Sequence, residues 1–300
     1  MAQPETLGFI GWGNMGGPRC ATLANAGRWP LVVHDRAGTA ERAPDSATHA
    51  ASVSEVAAGA DTILLSLPDA AIVSMVADEI TATSGRRATT IVDLSTVGVA
   101  AAREIGARMA TQDLVFVDAP VSGGRAGALA ATITVMCAGP ANIGAALKPV
   151  FETMAGNVIP VGEKPGQGQA MKLMNNFLSA VAMTATSEAV RFGESQGLDM
   201  ATMLDVLNVS TGRNTATSDK FPNRVATGSF DAGFAMALMT KDVALYFENA
   251  DAAGTATAIG ATVSELWNTA NAAMPGADFT QIYEFVGSLA GTGSTHEENR

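Results

Sequence analysis

The sequence predicts an α/β fold in which an N-terminal doubly wound sheet is followed by an all-helical C-terminal domain, the two joined by a long helix. Three observations carry the prediction. Short apolar runs alternate with helix-compatible stretches through the first half, the pattern of parallel strands linked by crossover helices. After Gly166 the alternation stops and the chain reads as helices alone. Between the first apolar run and the first helical stretch lies Gly11-Trp12-Gly13-Asn14-Met15-Gly16, a G-x-G-x-x-G turn in a strand-to-helix setting.

In chain order, strands are expected at residues 7–10, 31–34, 62–65, 90–94, 114–117, 133–137 and 158–161. Helical composition marks 15–26, 54–59, 100–110 and 143–154 between them. The second half is expected to hold helices at 168–196, 201–207, 242–253, 257–273 and 280–289. The first of these spans about 29 residues, over 40 Å at about 1.5 Å per residue, which suits a bridge between domains at 1–164 and 165–300, with the interdomain helix over 165–196. The polar tail 291–300 is expected to fray.

Composition narrows the function classes. The 300 residues suffice for two ordinary domains, and 47% are hydrophobic with 5% aromatic. A net charge of −11 and a pI near 4.7, with no basic run, argue against nucleic acid, whose phosphates need clustered Lys and Arg. An anionic substrate must then be held by a few placed donors. Cys20 and Cys137 lie far apart in apolar surroundings and read as small buried hydrophobes in a reducing compartment. A strand starting at Leu7 leaves no room for a signal peptide, and no apolar run is long enough to span a bilayer. A soluble, cytoplasmic protein without membrane partners is expected.

The glycine turn, in its strand–turn–helix context, is the fingerprint of a Rossmann dinucleotide-binding domain. The backbone bends tightly there, and a pyrophosphate rests on the helix N-terminus, where N–H groups and the dipole favour anions. The reaction must be argued separately. Two cysteines and three scattered histidines do not supply a zinc alcohol dehydrogenase site. A Tyr-x-x-x-Lys pair is absent, because Tyr246 and Tyr283 are followed four residues on by Ala250 and Gly287. His34 at a strand end, His49 in an early loop and His296 in the tail read as solvated or packing residues. Lysine stands out instead, with flavin chemistry left open by composition. Lys172 lies in the apolar stretch 170–174 and shares a helical face with Asn176, four residues on. A buried ammonium is costly unless paired or neutral, and a lowered lysine pKa is what an acid/base near neutrality requires. Gly166 and Gly168 just before it allow other backbone to approach closely.

Six ordered segments give a resemblance to a known family: Gly8 to Gly16, Leu67-Pro68, Asp93 to Thr96, Asp118 to Gly124, Gly166-x-Gly168-x-x-x-Lys172-x-x-x-Asn176, and Lys241-Asp242. From end to end the chain resembles the 3-hydroxyisobutyrate dehydrogenases, the short β-hydroxyacid dehydrogenases that include tartronate semialdehyde reductases. The resemblance implies Lys172 as the acid/base and Asn176 as its support. It implies that Ser122, Gly123 and Gly124 hold a small carboxylate substrate, a role suited to a hydroxyl beside unobstructed N–H groups. It implies a nicotinamide cofactor bound by Gly11, Gly13, Asn14, Met15, Gly16, Asp35, Arg36, Leu67, Pro68, Thr96, Phe234 and Lys241, no metal, and a homodimer or homotetramer. Asp35, 24 residues after Gly11, can accept from a ribose 2′-OH and favours NAD, whereas Arg36 favours NADP; the carboxylate discriminates more, so NAD is expected, with NADP as the alternative. Ala131-Thr132-Ile133 stands where the family usually has Gly-Thr-Leu. Arg213 and Asn214 either face substrate or sit in an exposed interhelical loop. Rival readings are an imine reductase, whose members generally lack the lysine, and a non-catalytic dinucleotide-binding module.

Overall fold

The computed structural model describes residues 3–39 and 42–289. The tail from Gly291, with His296, lies outside the described residues. The N-terminal unit begins β1 (Leu7–Ile10), α1 (Gly16–Ala26), β2 (Leu31–His34), β3 (Thr48–His49), α2 (Val53–Gly59), β4 (Thr62–Leu65) and α3 (Ala70–Ala82). It continues with β5 (Thr90–Asp93), α4 (Val99–Ala110), β6 (Val115–Asp118), β7 (Val121–Ser122), α5 (Gly124–Leu129), β8 (Ile133–Ala138), α6 (Ala141–Met154) and β9 (Ala155–Gly162).

These strands form one sheet in the order β3-β2-β1-β4-β5-β6-β8-β7, with β9 pairing β8. Continuous apolar runs make the inner strands, because both faces are covered. Leu7, Phe9, Leu64, Val92 and Val117 feed one core layer, and Ile10, Ile63, Leu65, Ile91 and Phe116 the other, as a two-residue period requires. The strand order reverses between β1 and β4, so their carboxyl ends flank the crevice where ligands bind in open α/β sheets. Side-chain caps start the crossover helices: Ser52 accepts from Glu55 N before α2, and Asp69 from Ile72 N before α3.

The expectation of a wholly parallel sheet needs correction. β8 runs antiparallel to β6 and β7. The six-residue α5 and a turn at Ala131 (φ 53°) link β7 to β8, and an antiparallel return needs no long crossover. His49 lies on edge strand β3, with its ring 2.9 Å from the Thr39 hydroxyl, and not in a loop. β3 and β7 are two residues each, too short to show any period.

Helix α7 (Gln167–Ser195) has 29 residues, and the compact units Met1–Leu173 and Met174–Arg300 divide within it. The second unit adds α8 (Met200–Asn208), a π-helical segment Ala216–Val225, α9 (Met236–Ala252), α10 (Ala258–Ala273), a 3-10 turn Phe279–Gln281 and α11 (Ile282–Ser288). Its core gathers Met183, Phe221, Met239, Trp267 and Tyr283, and the Trp267 indole N–H donates to the Thr184 hydroxyl at 3.1 Å. α9 starts at Met236, six residues before the expected 242, and the π-helical segment was not expected at all. The Ser/Thr/Asn-rich run before it reads as loop, since such side chains compete for backbone hydrogen bonds. Among the described residues no helix is long and apolar enough to cross a membrane.

Candidate active site

The glycine turn closes at the carboxyl end of β1. Gly11 has φ 102°, and a Cβ there would lie 2.2 Å from the Ser66 carbonyl oxygen; one on Gly16 would lie 2.0 Å from the Gly11 carbonyl oxygen. Backbone therefore approaches where a side chain would sit. A Cβ on Gly13 would meet nothing within 4 Å, and Gly13 and Asn14 are exposed, so the outer face of the turn stays open. Met15 precedes α1, whose first turn carries no acidic residue to oppose an anion. This cradle fits a dinucleotide pyrophosphate.

Asp35, at the end of β2, accepts from Trp12 N at 2.5 Å, from Ala37 N at 2.8 Å and from Arg42 Nη2 at 2.8 Å. Burial works to raise its pKa, but the Trp12 N–H, Arg42 and the Ala37 N–H together hold it below the ordinary carboxylate value. The carboxylate is thus tied to the glycine turn through Trp12. Arg36 is exposed. Arg42, which also donates to the Trp12 carbonyl at 3.1 Å, is the cation that faces Asp35, and nothing in its sequence position announced it. Leu67 and Pro68 follow β4 at the reversal point, where Leu67 N donates to Ser95 Oγ at 2.9 Å, next to Thr96.

Beneath this turn lies a buried polar network. Arg19, 1% exposed, donates to the Met15 carbonyl (2.6 Å) and Ser66 Oγ (2.7 Å). Asp93 and Asp118, fully buried, are register partners on β5 and β6. Burial pushes the Asp93 carboxyl up to about 7, against the lowering effect of Ser95, and Asp118 adds to the rise. Burial likewise raises the Asp118 pKa, although Gln169 and the backbone N–H groups of Gly166 and Gly168 oppose it. A carboxyl whose folded pKa lies above its unfolded value of about 4 holds its proton more tightly in the folded chain, so its contribution to stability is lost as pH rises through that window to about 7. Asp93→Asn should therefore flatten the fall in Tm between about pH 5 and about pH 8. Thermal unfolding across that range checks this, and equal slopes in both proteins would contradict it.

Ser122 ends β7, half-buried, and Gly123 turns the chain into α5 with φ 129°. A Cβ on Gly123 would lie 3.2 Å from Ile133 Cα, so the loop folds flat against β8. Ser122, Gly123 and Gly124 thus form a strand-to-helix turn at the carboxyl side of the sheet.

Lys172 is 8% exposed, in the second turn of α7. Gln169 and Asn176, 0% and 5% exposed, stand one turn to either side, so one helical face carries three buried polar side chains in succession. Gly168 permits this placement: a Cβ there would lie 2.8 Å from the carbonyl oxygens of Asp118 and Met136. In the second unit, Asn176 Nδ2 donates to Asp242 Oδ2 at 2.6 Å, and Asn175 Nδ2 donates to Asn176 Oδ1 at 3.0 Å. Lys241 Nζ lies 3.5 Å from Asp242 Oδ1. Phe234 packs edge-on against Phe279 (centroids 5.9 Å), with its N–H directed to Asp278. Arg213 is exposed, whereas Asn214 accepts from Ala216 N and Thr217 N and donates to Thr186 Oγ1. Asn214 is thus a structural cap of the π-helical segment. Asp242, named in the sequence only as part of the Lys241-Asp242 segment, holds Asn176, and Gln169, which the sequence did not single out, holds the backbone around Thr96.

Comparison with known proteins follows this geometry. Residues 6–162 match the NAD-binding domain model of 6-phosphogluconate dehydrogenase, and residues 166–286 the NAD-binding model of NADP-dependent 3-hydroxyisobutyrate dehydrogenase. A probable 3-hydroxyisobutyrate dehydrogenase of Mycobacterium tuberculosis is 35% identical over 92% of this chain and 96% of that protein. An NAD-dependent L-serine dehydrogenase of Pseudomonas aeruginosa is 33% identical over 88% of this chain and 91% of its own length. The solved structure of the M. tuberculosis 3-hydroxyisobutyrate dehydrogenase with L-serine superposes with a TM-score of 0.88 at 33% identity, covering 95% of this chain and 99% of that one.

Proposed function

Since the chain belongs to the 3-hydroxyisobutyrate dehydrogenase family, we propose that it catalyses reversible oxidation of a small 3-hydroxy carboxylic acid with NAD(P), Lys172 serving as general acid/base. The observation that carries this reading is the buried Lys172 one turn from Asn176 on α7. When bound, the nicotinamide supplies a hydride acceptor in oxidation and a hydride donor in reduction. Ser122 and the N–H groups of Gly123 and Gly124 hold the substrate carboxylate. Lys172 takes the hydroxyl proton as the carbinol C–H pair departs, and returns it to the aldehyde oxygen in the reverse direction. Asn176, its amide oriented by Asp242 and Asn175, supports Lys172 from one turn along α7.

The cofactor is held by Gly11, Gly13, Asn14, Met15 and Gly16 at the pyrophosphate, by Asp35 at the adenosine ribose, and by Leu67, Pro68 and Thr96 further along the crevice. Asp35 favours NAD. Asp35→Ala should lower kcat/KM for NAD about tenfold and raise it for NADP, because loss of the carboxylate removes its repulsion of a 2′-phosphate and releases Arg42 to pair with one. Steady-state kinetics with both cofactors checks this; an unchanged preference would contradict it.

Free, buried Cys20 and Cys137 suit a reducing, cytoplasmic setting. Exposed Leu178, Phe192 and Val209 in the second unit suit a homodimer or homotetramer. The test of the reaction class is initial-rate nicotinamide reduction with a panel containing 3-hydroxyisobutyrate, glycerate, serine and threonate, using NAD and NADP in parallel. Turnover of at least one acid is expected, and none with either cofactor would overturn the reading.

A further inference from the structure

We infer that Gln169 is a positioning residue which locks the loop bearing Thr96 to the helical turn bearing Lys172. The inference rests on the proposed dehydrogenase reading. The side chain is completely buried and uses both ends of its amide. Its Oε1 accepts from Val97 N at 2.9 Å and Gly98 N at 3.2 Å. Its Nε2 donates to the Ser95 carbonyl at 3.0 Å and to Asp118 Oδ1 at 2.8 Å. Gln169 therefore grips the backbone on both sides of Thr96, from more than seventy residues away in sequence.

The same residue anchors the start of α7. Asp118 Oδ2 accepts from Gly166 N at 2.9 Å and from Gln169 N at 3.0 Å, so the end of β6 caps the first turn of the helix. Lys172 lies three residues further along that rigid helix. One amide thus ties together the carboxyl ends of β5 and β6 and the helix of the acid/base. A glutamine suits this position because only an amide offers two donors and an acceptor in one plane. Every contact it makes is to backbone or to Asp118, which sets a geometry and leaves the chemistry to others.

Loss of such a lock loosens two groups whose alignment decides the rate, and a misplacement of about 1 Å costs up to about 100-fold. Gln169→Leu, and Gln169→Glu, which keeps the acceptor end, are compared with wild type in two ways. In the cofactor-free protein, hydrogen exchange at Val97 N–H and Gly98 N–H should accelerate at least about tenfold in Gln169→Leu and less in Gln169→Glu, with exchange in the second-unit core unchanged. In single turnovers at saturating substrate, the hydride-transfer rate constant should fall about 10- to 100-fold in Gln169→Leu, with amplitude and KM kept within about threefold. Gln169→Glu should recover part of that rate. Wild-type exchange at Val97 and Gly98, or a lowered amplitude at an unchanged rate constant, would overturn the inference, since a structural role alone removes active molecules without slowing the remainder. If Gln169→Leu does not fold, Gln169→Glu decides by the same readouts. A wild-type protein with no turnover of any acid would overturn the dehydrogenase reading itself, whereas turnover with unaltered Gln169 variants would overturn this inference alone.

Discussion

Lys172→Ala is expected to lower kcat by about two to four orders of magnitude, the range that a positioned general acid/base contributes. Alanine removes the only group assigned to proton transfer and leaves the backbone of α7 intact, because it is the best helix former. The Asn176–Asp242 hydrogen bond and the Asp118 cap at the start of the helix do not involve the lysine side chain. The glycine cradle and Asp35 are equally untouched, so the cofactor dissociation constant should stay within a few-fold. The expected pattern is lost turnover with retained binding. Cofactor titration by fluorescence alongside steady-state kinetics checks it. A variant with wild-type kcat would remove Lys172 from the mechanism; one that also failed to bind cofactor would show the lysine to be structural.

Gly11→Ala is expected to abolish measurable cofactor binding and to destabilise the N-terminal unit by about 2 kcal/mol or more. Two penalties act together. The φ of 102° lies where side-chain-bearing residues are strained, at a cost on the order of 1–3 kcal/mol. The added Cβ would also meet the Ser66 carbonyl oxygen at 2.2 Å, and that atom is backbone, so the clash cannot be relieved by a rotamer change. Relief requires β1 to part from the end of β4 at the point where Ser66 N donates to the Ile10 carbonyl. The turn would then open and the start of α1 would leave the crevice. Chemical denaturation and cofactor titration measure the two effects. A variant that binds cofactor normally would mean that the turn is not the pyrophosphate site.

Much of this arrangement was legible in the residues. The runs at Leu7–Ile10, Leu31–His34 and Thr62–Leu65 mark their strands with the observed bounds, because strands covered on both faces become uninterrupted apolar segments. The 29-residue α7 follows from sustained helical composition flanked by glycines, and the buried Lys172 from its apolar neighbours. What escaped the sequence is held by contacts between distant residues. The reversal of β8 depends on a short link that no periodicity reports. Arg42, seven positions after Asp35, is the arginine that pairs with it, whereas the adjacent Arg36 is exposed. Gln169 and Asp242 look like ordinary polar helix residues until their partners, 51 to 74 positions away, are in place. The π-helical segment Ala216–Val225 begins in a Thr/Ser-rich run of loop character, where the Asn214 side chain caps its first N–H groups.

The most direct test of the central claim follows the hydrogen itself. Wild-type protein would be incubated with NAD and a 3-hydroxy acid deuterated at the carbinol carbon, and the reduced nicotinamide examined by proton NMR. The account predicts one deuterium at C4 of the ring, on a single face, with Lys172→Ala forming no such product on the same timescale. Reduced cofactor carrying solvent hydrogen at C4, or deuterium transfer undiminished in Lys172→Ala, would contradict it.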